Sequence, residues 1–256
     1  MLTEVHGRLL PSRIFVPAFA ATLFISAGLM FLVEPMVAKM VLPRLGGSSA
    51  VWSTCLVFFQ ATLLLGYGYA HALTRLLPRS TQSLVHAAVL LLAALALPLD
   101  LGAGAPLPGD SPALWLLIRL VLVAGPPVFA ISATAPLVQS WFAELDHEAA
   151  GDPYFLYAGS NVGSLLALLA YPLVVEPALP LDRQAWLWSC GFGALALGIA
   201  LSAGATMCGG RRGIEVLPRD VLAPGRLRER LTWIALAFVP SSLLLGVTTH
   251  ITMDIA

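Results

Sequence analysis

Glu34 and Lys39 stand five residues apart in the run FISAGLMFLVEPMVAKMVLPRLGG, where almost every neighbouring side chain is apolar. A hydrocarbon phase tolerates charge only where it faces a cavity, a partner or the interface. A carboxylate and an ammonium placed this way have two uses. They can gate or bind a cationic or proton-coupled solute inside the membrane. They can also lie at the outer end of the helix and snorkel into headgroups, and Pro35 and Pro43-Arg44 favour that edge position. Five residues turn an unbroken helix through about 500°, so the two side chains leave on faces about 140° apart unless Pro35 kinks the chain. Lys39 is also the only lysine in the sequence.

Other polar residues embedded in apolar runs join these two as candidates for a solute or proton path. Glu176 belongs to Val175-Glu176-Pro177, which repeats Val33-Glu34-Pro35. Arg119 lies about one turn beyond Trp115, with snorkelling as its alternative role. Gln60 stands in the second apolar run. His250 and Asp254, four apart, share a helix face with Thr248, Thr249 and Thr252 close by. That stripe suits a cavity wall or hydrogen bonds to further helices. Gly159 and Gly163 have the spacing that lets helices approach closely, and Asn161 between them can bond across such a contact. His71, His86 and His147 have no partner at metal-ligand spacing. No nucleophile-base pair or phosphate loop appears, so no catalytic set, cofactor or metal is expected.

The elements that must position these residues are membrane helices. Of 256 residues, 58% are hydrophobic and 11% charged, too few polar groups to clothe a soluble core. The mean hydropathy is +0.86. No basic patch with interleaved aromatics is present, which argues against nucleic acid. Three cysteines, Cys55, Cys190 and Cys208, imply no disulfide framework. Cys55 and Cys190 read as small packing residues, and the six tryptophans as interfacial residues near helix ends.

A span needs about 20 mainly apolar residues. That ruler predicts helices near 14–33 (extending through Met40), 50–73, 83–99, 113–142 (interrupted at Gly125-Pro126-Pro127 and Pro136), 154–175 and 185–207. A short tail, 1–13, precedes them. A basic linker, 208–230, leads to a seventh helix over 231–256. The first helix has no cleavage site and reads as retained. If every run spans, ten of the fourteen basic residues fall on one side, which predicts a cytoplasmic N-terminus. The acidic stretch Glu144 to Asp152 on that side is the one dissent. The two Val-Glu-Pro tripeptides then fall where odd-numbered helices reach the outer face.

Six helices, a basic linker and a seventh helix form the layout of a major-facilitator half followed by the start of the next. The run GLMFLVEPMVAKMVLPRLGGSSAVWSTCLVFFQATLLLGYGYAH resembles the first helix pair of bacterial fused major-facilitator/spermidine synthase-like proteins. DPYFLYAGSNVGSLLALLAYPLVVEP resembles the fifth helix of that family, and PSSLLLGVTTHITMDIA its seventh. These blocks cover under half of the chain and are spread along its length.

The resemblance implies an all-α, polytopic integral membrane protein of the bacterial inner membrane. It also implies further helices and a soluble aminopropyltransferase-like domain, in the same longer protein or in a separate chain. No strand-helix alternation or Gly-rich turn of such a domain occurs here, so no synthase activity is expected of this chain. Two functions remain open. One is a transporter-like domain for polyamines or another small cationic solute. The other is a membrane anchor that positions the synthase-like domain and moves nothing itself.

Overall fold

A computed structural model describes residues 12–102, 104, 106, 107, 109, 111–143, 145, 154–208 and 227–254. Every element in it is helical. The tail before Ser12, most of the acidic loop and the linker between 208 and 227 lie outside the described residues. The chain divides into two units, Met1–Arg212 and Gly213–Ala256.

The first unit opens with α1 (Ser12–Leu45), 34 residues of helix that run through Pro17, Pro35 and Pro43. The sequence predicted helix to Val33 with an extension through Met40; the helix continues past Pro35 to Leu45, as bundled membrane helices allow when neighbours satisfy the freed carbonyls. The Gly46-Gly47 turn, with Gly46 at φ +70°, leads into α2 (Ser49–Leu76). Ser48 caps α2 by accepting from the Val51 amide at 3.4 Å.

Next comes α3 (Arg79–Ala94), which differs most from expectation. It starts four residues early and stops five residues short. Sixteen residues rise about 24 Å, less than the roughly 30 Å of a hydrocarbon core. Pro98 removes an amide and disfavours helix at Leu97 before it, so the chain leaves α3 as a loop. Leu99 and Leu101 of that loop fold back and are buried.

Ser111 caps α4 (Pro112–Val123), with Pro112 in its first turn. A 61° bend separates α4 from α5 (Gly125–Ala143), at the Gly-Pro-Pro that the sequence marked as an interruption. Pro136 does not break α5. Then α6 (Tyr154–Ala170) passes into a π-helical turn, Tyr171–Val175, and a last short turn, α7 (Glu176–Ala178). The long α8 (Leu181–Cys208) ends the unit.

Four helices, Val16–Leu45, Ser49–Leu76, Tyr154–Ala178 and Leu181–Gly204, are long and apolar enough to cross a membrane. The bent α4–α5 pair makes five if it counts as one span. The protein is therefore an all-helical membrane protein.

Helices α1 and α5 form the core. Phe19, Leu23, Val33, Met36 and Val41 of α1 are buried, as is most of α5 from Val128 to Phe142. Matched residues give the helix directions. Gly159 lies against Ala20, and Gly163 against Phe24, so α6 runs parallel to α1. Gly191 meets Leu29 and Gly198 meets Thr22, so α8 runs antiparallel to α1. Gly125 lies by Phe58 and Gly66 by Ser132, so α2 and α5 are parallel. Hydroxyls lace the seams: Ser26 donates to the Ile131 carbonyl at 3.4 Å, and Ser132 donates to the Thr62 carbonyl at 3.4 Å.

The second unit contains α9 (Leu227–Asp254), the seventh helix of the sequence reading. It is helical through Pro240, beside which Ser241 donates to the Ala237 carbonyl at 2.8 Å.

Candidate functional site

Two charged residues of the first unit, Lys39 and Glu176, meet where α1 and α6 approach their C-terminal ends. Lys39 does not pair with Glu34. Its ammonium forms an ion pair with the Glu176 carboxylate, so the salt bridge joins α1 to the end of α6. The side chains of Lys39 and Glu176 are 42% and 37% exposed, so both remain accessible. Glu34 is half-buried and forms no ion pair with Lys39. The unbroken turn of α1 accounts for this separation, since about 140° of rotation puts the two residues on different neighbours.

Glu176 owes its position to the π-helical turn before it. Pro172 and Pro177 lack amides, which weakens the regular α pattern here. The Glu176 amide instead donates to the Tyr171 carbonyl, five residues back. One extra residue in a turn rotates the chain beyond it by about 100°, which re-aims Glu176 relative to the face of α6.

A frame of hydrogen bonds holds this end in place. The Tyr171 hydroxyl donates to Gln184 Oε1 at 3.1 Å, and Gln184 Nε2 donates to the Leu179 carbonyl at 2.8 Å. The indole of Trp188 donates to the Leu29 carbonyl at 2.9 Å, tying α8 to α1. These bonds were not evident in the sequence. Gln184 comes after the turn as an ordinary polar residue, and Trp188 reads as an interfacial tryptophan. Trp188 is in fact buried, as is Trp141, whose indole donates to Gln82 Oε1 at 3.0 Å. Trp52 and Trp186 are exposed.

The remaining candidates lie elsewhere. Arg119 stacks over Trp115, its guanidinium carbon 5.4 Å from the ring centroid, and reaches the backbone of Gly102 and Gly104. It therefore faces the α3–α4 loop. Gln60 is exposed on α2. His250 and Asp254 belong to α9 by backbone, and their side chains lie outside the described residues. Gly159 and Gly163 both face α1. Asn161 is exposed and turned away from that seam, so it does not bond across the contact. Cys55 is buried, whereas Cys190 is exposed on α8 and not packed in the core.

A second polar group lies between α2, α3 and α5. His86 is fully buried, and neither of its ring nitrogens has a partner among the described residues. Its ring lies 6.0 Å from that of Tyr69, whose hydroxyl is likewise buried and unpartnered. Among the described residues, no group of three or more His, Cys, Asp or Glu side chains could hold a metal ion. Compared with protein-family models, curated proteins and solved structures, the chain finds no match in any of the three.

Proposed function

We propose that this chain is the transporter-like membrane part of a spermidine synthase-like fusion protein in a bacterial inner membrane, with a cytoplasmic N-terminus. In this reading it moves polyamines or another small cationic solute, working with further helices and a synthase-like domain.

The observation that carries the proposal is the ion pair of Lys39 and Glu176. It puts an accessible carboxylate between two helices of the bundle, where a cationic solute can compete for it. The helix directions are further support. With α1 and α6 parallel, an odd number of traverses must lie between them. Helices α2, α3 and the bent α4–α5 pair supply three, giving the six-helix layout of a major-facilitator half. In this reading α3 also crosses, despite its length.

The second reading is a membrane anchor for the synthase-like domain. It is favoured by the placement of the pair near the ends of α1 and α6, where long side chains can reach the headgroups. Uptake of labelled spermidine and putrescine into proteoliposomes separates the two. Saturable uptake that is lost in Glu176→Gln supports transport. A folded protein with no uptake leaves the anchor.

A further inference from the structure

We infer that Glu176 is a binding site for a primary ammonium group, and that Lys39 is its built-in occupant, displaced when a solute ammonium arrives. This deepens the transporter reading and rests on it for its role in uptake.

Residue choice is the first argument. Every basic residue in the chain except Lys39 is arginine, thirteen against one. A permanent ion pair is best served by arginine, whose planar fork grips a carboxylate through two parallel bonds. Lysine offers a compact point charge on a flexible four-carbon stem, with donors that rotate freely. The position that pairs with Glu176 therefore carries the one head group a solute amine can replace like for like.

The contrast between the partners is the second argument. Glu176 sits on a fixed mount: the π-helical turn precedes it, Pro177 comes directly after it, and the bonds among Tyr171, Gln184 and Leu179 brace the neck. Lys39 projects from the side of α1 and is 42% exposed, so its stem can swing away from the carboxylate without moving a helix. A rigid carboxylate with a mobile cation is an arrangement for exchange. The tethered ammonium keeps the carboxylate neutralised while no solute is bound. An incoming ammonium needs only to match what Lys39 gives up. Lys39 reaches Glu176 and not Glu34.

The single lysine makes the test clean. Protein grown with lysine labelled by 13C at Cε gives one side-chain signal, that of Lys39, in nanodiscs. Its position in Glu176→Gln marks the released state. Titration with n-propylammonium chloride is expected to move the wild-type signal towards that position and to saturate. Sodium chloride and tetramethylammonium chloride, whose cations carry no N–H donor, are expected at equal ionic strength to move it much less, and Glu176→Gln is expected not to respond. In parallel, n-propylammonium is expected to raise the thermal midpoint several-fold more in Lys39→Gln than in wild type, because the competitor is gone. Equal displacement by all three salts would reduce the effect to screening and overturn the proposal. An unmoved signal would overturn it as well. Neither readout depends on transport, so a failed uptake assay and a failed exchange remain separate results.

Discussion

Gly163 of α6 and Phe24 of α1 meet backbone to backbone. A Cβ placed on Gly163 would lie 2.5 Å from the Phe24 carbonyl oxygen and 3.2 Å from its Cα. Backbone cannot rotate aside as a side chain can, so Gly163→Ala must push the two helices apart. Forced overpacking costs about 1–3 kcal/mol, which should appear as a lower thermal midpoint and less monodisperse protein. Gly68→Ala is the control, since nothing lies within 4 Å of its added Cβ. That variant should match wild type, and an equal loss in both would show that the seam is not the cause.

The Lys39–Glu176 pair should respond to charge reversal. Lys39→Glu sets two carboxylates face to face, and Glu176→Lys sets two ammonium groups face to face. Each single variant should be destabilised, and the double variant should recover most of the loss. The pair is half-exposed, so the coupling should be small, about 0.2–1 kcal/mol. A double variant no better than the sum of the singles would show that the two residues do not interact in the folded protein.

Tyr69 and His86 hold three unpartnered polar atoms in the bundle interior. Removing an unsatisfied buried group without changing shape is neutral or stabilising. Tyr69→Phe should therefore leave the thermal midpoint unchanged or raise it. A clear fall in Tyr69→Phe would show that a buried water joins the hydroxyl to the imidazole.

The Trp188 indole bond can be tested by Trp188→Phe, which keeps an aromatic ring and drops the donor. Loss of one buried hydrogen bond should cost about 1 kcal/mol, with a further share from the smaller ring. Trp186→Phe, at an exposed position of the same helix, should cost nothing measurable.

Whether α3 crosses the membrane can be read by sided labelling. In a background with Cys55, Cys190 and Cys208 replaced by serine, single cysteines at Ser80 and Ser111 bracket the helix; both positions are exposed. An impermeant maleimide added to intact cells should label the Ser111 position, and should reach the Ser80 position only after permeabilisation. Labelling of both from one side would remove α3 from the count of spans.

How far the sequence revealed this arrangement depends on which signal each element left. The turns at Gly46-Gly47 and at Gly125-Pro126-Pro127 stood out because glycine and proline punctuate helices by backbone chemistry alone. The end of α3 did not stand out. Its apolar run continues through Leu95, Leu97, Leu99 and Leu101, and a buried loop leaves the same composition as a buried helix. Spacing along α1 offered Glu34 as the neighbour of Lys39. The true partner depends on a π-helical turn more than a hundred residues away, which has no signature beyond two prolines. The glycines of α6 could be read as a close-packing face, and the same spacing turns Asn161, two residues from each, about 200° away from it. Bonds such as Trp188 to the Leu29 carbonyl have a backbone atom as acceptor, and a backbone carbonyl has no letter in the sequence.

The glycine seam and the ion pair lie at different heights on the same two parallel helices. From Gly163 to Glu176 is thirteen residues, about 20 Å along the axis. Geometry makes this a lever arm. A rocking of α6 against α1 by about 10° about the smooth glycine contact carries its far end through roughly 3.5 Å. Side chains at the seam barely change neighbours, while at the tip a displacement of that size parts the two charges. A modest tilt at the fulcrum is thereby read out as a made or broken contact between Lys39 and Glu176.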